Sequence, residues 1–388
     1  MKNTTVLISG ASIAGPALAY WLNRYGCRVT VIEKAGAPRA GGQAVDFKGA
    51  VHRTVLARMG ILDEVRRAQT GGSDQTVVDA TGKRLAVIPG EFTGGEIEIR
   101  RGDLSRILHD RTAGECEYVF GDSITSLTET ADGVHVTFEQ TAPRTFDLVV
   151  GADGIHSTVR RLAFGPESDY VDFLGHYYAL ADLGELGGDA LMYNEPGRMA
   201  ALGGPKARAF FVFASAELEF DRYDTAQQKR LVQAAYRDAG WRVPELMSRL
   251  PDATEFYLDS ISRSHLDHYA TGRVALLGDA AYGNTLGGFG TGLAVVGAYV
   301  LAGELLAAGG DHRVGFQRYE ERFRGYAKVS EQGNAGPFLA PGSRLRMRLR
   351  NWMFNSPFLL RTMLKLTDRF ATDIELVDYP EIAAAQRA

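Results

Sequence analysis

Cysteine is nearly absent from this sequence: Cys27 and Cys116 are the only two in 388 residues. Two thiols cannot build a disulfide framework, and without a CxxC pair there is no zinc knuckle and no thiol-exchange motif. A reducing cytoplasm is the expected setting. An excess of basic charge is also missing. Lys and Arg number 43 against 47 Asp and Glu, a net charge of −4, which excludes the basic footprint of a nucleic-acid binder. Long apolar runs are missing too. The most apolar stretch, Gly292 to Leu306, contains Glu304 and falls short of the roughly 20 residues a spanning helix needs. A buried core helix and no membrane span are expected there. The chain opens Met1-Lys2-Asn3-Thr4-Thr5 and turns straight into a short apolar run, unlike a signal peptide.

What is present in excess is glycine, 45 residues against 13 prolines, where about 7% glycine is usual. Tight turns and close backbone approaches are implied. The length suits two or three domains at about 100–200 residues each.

Thr4–Ser9 is a short β-branched run ended by Gly10, and Gly15–Arg24 follows with helical apolar spacing. Arg28–Glu33 resumes strand alternation after Gly26, a suitable helix C-cap. A βαβ unit therefore fills residues 4–33. A helical stretch is predicted around residues 50–68, strands at Thr76–Ile88, Glu96–Ile99, Gly133–Phe138 and Phe146–Val150, and a helix at Asp103–Arg111. From about Gly175 to Ser262 the pattern is a mostly antiparallel sheet around a helical insertion, Thr225–Gly240. Val274–Leu277 is a further strand, leading through glycines into the apolar helix, and the remainder to about Phe370 is helical, broken at Pro341 and Pro357.

Gly10-Ala11-Ser12-Ile13-Ala14-Gly15 sits between a strand and a helix, with Glu33 closing the next strand. That is the context of a dinucleotide fingerprint: backbone N–H groups at the helix start meet the pyrophosphate, and the acidic residue accepts from ribose hydroxyls. The competing reading is a tight structural turn, since Ser12 replaces the middle glycine. A Walker loop needs a lysine where Pro16 stands, and a G-x-S-x-G nucleophile elbow needs glycine where Ala14 stands. Phosphoryl transfer and serine hydrolysis are thereby excluded. Downstream, Gly278-Asp279-Ala280-Ala281 ends a strand and Gly287-Gly288-Phe289-Gly290-Thr291-Gly292 opens a helix. A carboxylate for ribityl hydroxyls beside a helix N-terminus for an anionic ring suits a flavin.

These motifs, with Arg101-Gly102-Asp103-Leu104 and Gly151-Ala152-Asp153-Gly154-Ile155-His156-Ser157 between them, resemble in order those of the FAD-dependent monooxygenases of the para-hydroxybenzoate hydroxylase type. Within that family the nearest resemblance is to the tetracycline-inactivating flavoenzymes, through Arg39-Ala40-Gly41-Gly42-Gln43-Ala44-Val45-Asp46 and through Val296-Gly297-Ala298-Tyr299 with Leu301-Ala302-Gly303-Glu304-Leu305. The resemblance implies an α/β fold. A Rossmann-like FAD domain (1–72, 101–170 and 272–325) would carry an inserted antiparallel-sheet substrate domain (73–100 and 171–271) and C-terminal helices (326–388).

It implies FAD as resident cofactor and NADPH as transient reductant, with O2 adding at flavin C4a and one oxygen atom passing from the hydroperoxide to an aromatic or polyketide substrate. A monomer is expected. The flavin carries the chemistry, so no catalytic side chain is expected. FAD would be held by Gly10, Ser12, Ala14 and Gly15, by Glu33 and Lys34, and by Arg101, Leu104 and Asp153. Asp279, Gly290, Thr291 and Gly292 would face its ring end. Arg39, Gly42 and Asp46 would lie near the flavin and the nicotinamide approach. Tyr178, Met192, Phe211, Phe213 and Phe289 are the expected substrate wall, unless alternation along the strands turns half of them to the other face.

Phe289 stands where the family carries the glutamine of a G-Q-G, and the loop lacks the family's prolines. His265 and His268 have no third metal ligand nearby, and His156 is expected to hydrogen-bond or pack rather than act as a base. The isolated Trp21, Trp241 and Trp352 exclude the WxWxIP motif of halogenases. The basic run Arg344–Arg350, followed by apolar Trp352-Met353-Phe354 and Phe358-Leu359-Leu360, is expected to be a helix that shields the flavin and substrate domains with its arginines in water; contact with a membrane surface is the competing reading. The alternative function is a flavin reductase, dehydrogenase or redox sensor without oxygen insertion.

Overall fold

The computed structural model describes residues 1–38, 44–72, 74–90, 95–203, 209–361 and 374–385. The β-branched run Thr5–Ser9 is a fully interior strand, paired in parallel with Arg28–Glu33 on one side and Leu148–Gly151 on the other. Val274–Leu276 and Ala270–Thr271 extend the sheet beyond Leu148–Gly151, and Glu117–Phe120 closes the opposite edge, giving six strands. Helix Ala14–Arg24 crosses over the first connection. It packs on the long helix Gly290–Ala307, with Trp21 edge-on to Tyr299 at 5.0 Å. The long helix has the length and apolarity to cross a membrane, longer than the sequence suggests, yet most of it is buried inside the protein. Its Glu304 is matched in place: Arg322 donates to the carboxylate at 2.7 Å and the Tyr379 hydroxyl at 2.5 Å.

The second unit is a seven-stranded sheet in the order Phe256–Ser264, Val171–Ala181, Ala209–Ala214, Arg198–Leu202, Leu191–Glu195, Gln75–Val78, Arg84–Ile88. Its pairings are antiparallel except between Leu191–Glu195 and Gln75–Val78. Ile97–Arg100, grouped by sequence with this region, pairs instead with Ala44–Phe47. The predicted helix at 50–68 is two helices, Gly49–Arg58 and Leu62–Arg67, parted at Gly60, whose φ of +71° is helix-ending.

Pleating gives the seven-stranded sheet two apolar faces. One, with Tyr177, Phe211 and Phe213, packs on Val232, Tyr236 and Leu246 of helices Thr225–Ala235 and Val243–Arg249 and their flank. The other, with Tyr178, Met192, Met199, Val212 and Ile261, meets Leu286, Leu339 and Phe354.

Candidate functional site

Gly10 and Gly15 are dictated by close approach. A Cβ on Gly15 would drive into the Gly10 carbonyl oxygen, and one on Gly10, whose φ is +106°, into the carbonyl of Ala152. The helix they introduce starts after Ile13 with no side-chain cap and no acidic residue in its first turn. Its leading N–H groups are therefore available to an anion. Arg101 reaches the same place: its Nε donates to Ser12 Oγ at 3.2 Å. Among the described residues no carboxylate forms an ion pair with it. Glu33 is fixed at the end of the neighbouring strand by accepting from the N–H groups of Ala11 and Ala35, both at 2.9 Å.

Across the cleft, Gly278 turns the chain at φ +66° and sets down Asp279. Asp279 is walled by protein yet open along one side; burial pushes its carboxyl group above the usual range, against the opposing charge of Arg101. No donor among the described residues reaches that carboxylate. Beside it the long helix starts at Phe289, again without a cap or an acidic first turn. Two uncapped helix starts, an arginine with no carboxylate partner and an open carboxylate form one donor-and-acceptor set. They fit a flavin dinucleotide: anionic pyrophosphate at one helix, hydroxyl-bearing chain at Asp279, electron-accepting ring at the other helix.

The remaining expectations divide. Arg39 and Gly42 lie outside the described residues. Ala14 is buried under the turn, and Gly290 and Thr291 form the open start of the long helix. Leu104 is wholly buried in the core, where its side chain anchors the helix Arg101–Asp110. Lys34 donates to the Tyr223 hydroxyl and lies 4.6 Å from that ring's centre, bridging to the other unit. Asp153 is turned inward: it accepts from the Ser9 hydroxyl at 3.2 Å, the Ser157 hydroxyl at 2.5 Å and the Thr158 N–H at 2.9 Å. It stitches its turn to the first strand. Asp46 stands opposite Glu98 in the two-stranded ladder. Gly292 serves an unforeseen purpose, since a Cβ there would collide with the ring of His52. His52 accepts from Lys48 N–H at 2.9 Å and meets the Tyr326 hydroxyl at 2.9 Å. Burial lowers its pKa to about 4, so it is a neutral support under the helix start.

The substrate wall is corrected by the sheet's pleat. Phe211 and Phe213 pack edge-on against Tyr236 on the helix-covered face; Tyr178 and Met192 lie on the face toward the glycine loop. Phe289 packs on the cofactor domain's core with the Lys48 ammonium 5.4 Å from its ring. The loop side chain that joins the Tyr178 face is Leu286, held at φ +60°, a rare conformation for leucine. The loop is knitted to the sheet's edge strand: Thr285 N–H donates to Ser262 O at 2.9 Å and Ser264 N–H to Gly283 O at 2.8 Å. Behind Tyr178, Tyr257 donates to Asp259 at 2.6 Å, and Asp259 meets His156 at 3.0 Å. No motif marks Tyr257 or Asp259. Only tertiary pairing brings them to the site.

A family model described as an FAD binding domain matches residues 3–328. The chain belongs to the FAD-binding monooxygenases. A flavin-dependent monooxygenase of Legionella longbeachae is 36% identical over 344 residues, 85% of this chain and 88% of the relative. An uncharacterized protein of Mycobacterium tuberculosis is 41% identical, over 84% of this chain and 91% of the relative. Among solved structures, tetracycline destructase Tet(55) is 34% identical with a TM-score of 0.79, and Tet(51) 29% identical with a TM-score of 0.81; each match covers 98% of this chain and 100% of the other. This monooxygenase therefore carries FAD, and the reading of it as a reductase or sensor without oxygen insertion is set aside by these relatives.

Proposed function

We propose that this monooxygenase adds one oxygen atom of O2 to a polycyclic, electron-rich aromatic or polyketide-type substrate, tetracyclines among them, with NADPH as the transient reductant. The observation that carries this reading is the placement of Tyr178 and Met192 on the sheet face that meets Leu286 of the loop at the start of the long helix. Likeness to tetracycline destructases along nearly the whole chain supports the same substrate class.

Bound FAD supplies the redox and oxygen chemistry. The chain's own work is binding, orientation and exclusion of water. Ser12, Arg101 and the first helix start would hold the pyrophosphate; Glu33 would hold the adenosine ribose and Asp279 the ribityl chain. The long helix start, propped by His52, would stabilise negative charge on the ring. Tyr178, Met192 and Leu286 would lay the flat substrate against it and keep water out. The protein is proposed to act in the cytoplasm as a monomer.

The test is mass spectrometry of a tetracycline incubated with holoenzyme and NADPH. A product heavier by one oxygen atom, with O2 uptake matching NADPH oxidation, is expected. NADPH oxidation that the tetracycline does not accelerate, with the drug recovered intact, would remove tetracyclines from the substrate range.

A further inference from the structure

Helix Arg344–Phe354 is amphipathic in an unusual sense, because an apolar ridge lies on its outer side. Its inner side carries Arg350, which donates to Phe338 O at 2.9 Å and to Asn194 Oδ1 at 2.7 Å, and Phe354, which packs into the Tyr178 face. Burial lowers the Arg350 pKa to about 10. The outer side carries Leu345, Leu349 and Trp352, exposed to 75%, 60% and 62%. Their spacing of four and three residues makes one continuous ridge. Arg344, Arg346 and Arg348 flank it, all exposed, and among the described residues no carboxylate forms an ion pair with them. No Asp or Glu occurs between Glu331 and Asp368, although the whole chain carries a net charge of −4. These three arginines stand in water as expected, and the apolar ridge stands there with them.

We propose that this outer face docks the protein on an anionic lipid bilayer. Leucines and a tryptophan on a ridge enter the headgroup boundary, where tryptophan's apolar body and polar N–H are both accommodated. Arginines on either flank meet lipid phosphates. Charge complementarity selects this occupant. A second copy of the chain brought in about a two-fold axis would set one arginine rim against another. The association is weak and reversible, since one short helix buries few side chains.

Sedimentation of the FAD-loaded full chain with vesicles tests this. The protein is expected to pellet with phosphatidylcholine vesicles containing phosphatidylglycerol at low salt. It should stay in solution with phosphatidylcholine alone, and be released as salt rises. Tryptophan emission should shift to the blue on binding, because Trp352 is the exposed indole while Trp21 is buried and Trp241 half-buried. Leu349→Ser with Trp352→Ser should weaken the association at least tenfold at unchanged flavin content. Arg344→Gln, Arg346→Gln and Arg348→Gln together should abolish the preference for anionic lipid. No sedimentation with anionic vesicles, or sedimentation that neither set of substitutions weakens, would overturn the proposal. So would a dimer in sedimentation equilibrium that Trp352→Ser dissociates, since a second copy would then be the occupant.

Discussion

His156 Nε2 lies 3.0 Å from an Asp259 carboxylate oxygen while its Nδ1 lies 2.9 Å from Glu167, so one imidazole joins the turn after strand Leu148–Gly151 to the edge strand of the substrate sheet. Burial works against the charged ring, but the two carboxylates outweigh it and raise its pKa above the ordinary value. Burial likewise opposes ionisation of Asp259 and Glu167. Their bonds to His156 prevail, and both pKa values fall below the ordinary range.

The sign of the pH dependence follows. His156 binds its proton more tightly when folded, so its contribution is complete below about 6.5, the unfolded value, and is lost as pH rises through the higher folded value. Asp259 and Glu167 contribute fully above about 4 and lose their contribution as pH falls through their lowered values. Stability of the joint should therefore peak in mildly acidic solution. His156→Gln should lower stability by about 1.5–3 kcal/mol there, the usual worth of hydrogen bonds to charged groups. It should also flatten the melting temperature between about pH 6 and 9. Melts of wild type and variant across that range decide the matter; identical pH profiles would detach His156 from the joint.

Asp279 and Glu33 should separate cofactor binding from folding. The Asp279 carboxylate receives no bond from described residues, so Asp279→Ala should leave the melting temperature of flavin-free protein unchanged or higher. Its FAD dissociation constant should rise about 10- to 100-fold, the worth of a charge-assisted hydrogen bond. Glu33→Ala should weaken FAD binding and lower the flavin-free melting temperature as well, because the N–H groups of Ala11 and Ala35 lose their acceptor. Flavin titration and thermal melts on both variants check this.

Opposite faces of one sheet should give opposite phenotypes. Phe211→Ala should cost about 3–5 kcal/mol, as truncating a buried ring does, with the relative rates on different substrates preserved. Tyr178→Phe and Met192→Ala should change KM and product distribution instead. Steady-state kinetics over a panel of polycyclic substrates, paired with denaturation curves, distinguishes the two faces.

Leu286 and Phe289 make a similar pair within one loop. Leu286→Ala should lower the fraction of NADPH oxidation that ends in product, since it opens the wall beside Tyr178 to water. Phe289→Gln should shift that fraction little and reduce stability through lost packing on the cofactor-side core. A large change in coupling for Phe289→Gln at wild-type stability would return this residue to the substrate wall.

The βαβ unit, the motif order and the central sheet were legible because each rests on local backbone demands. Gly10 and Gly15 admit no side chain, and Glu33 ends its strand where the first turn needs an acceptor. Facing was not legible. Ala209–Ala214 reads Ala-Phe-Phe-Val-Phe-Ala, apolar on both sides, so alternation could not say which phenylalanines would meet helices and which the loop. The run Arg344–Arg350 and the apolar residues after it left two readings open, a shielding helix or a membrane contact, because the sequence does not say which side of the helix packs inward. His52, Tyr257 and Asp259 belong to no motif, and the contacts that give them their places, His52 with Tyr326 and Asp259 with His156, join residues far apart in sequence. Glu117–Phe120 was too short and polar at its start to register as a strand.

The backbone bonds between Gly283–Thr285 and Ser262–Ser264 set the terms on which this pocket can evolve. A side chain on the Tyr178 face can be exchanged without disturbing these backbone bonds, so a new substrate is reachable through point substitutions. An inserted or deleted residue between Gly278 and Gly290 is a different event: it would slip the loop along its neighbouring strand and displace Asp279, Leu286 and the helix start together. Relatives that diverge in substrate while sharing this fold should differ in the sheet's side chains and keep this loop's length.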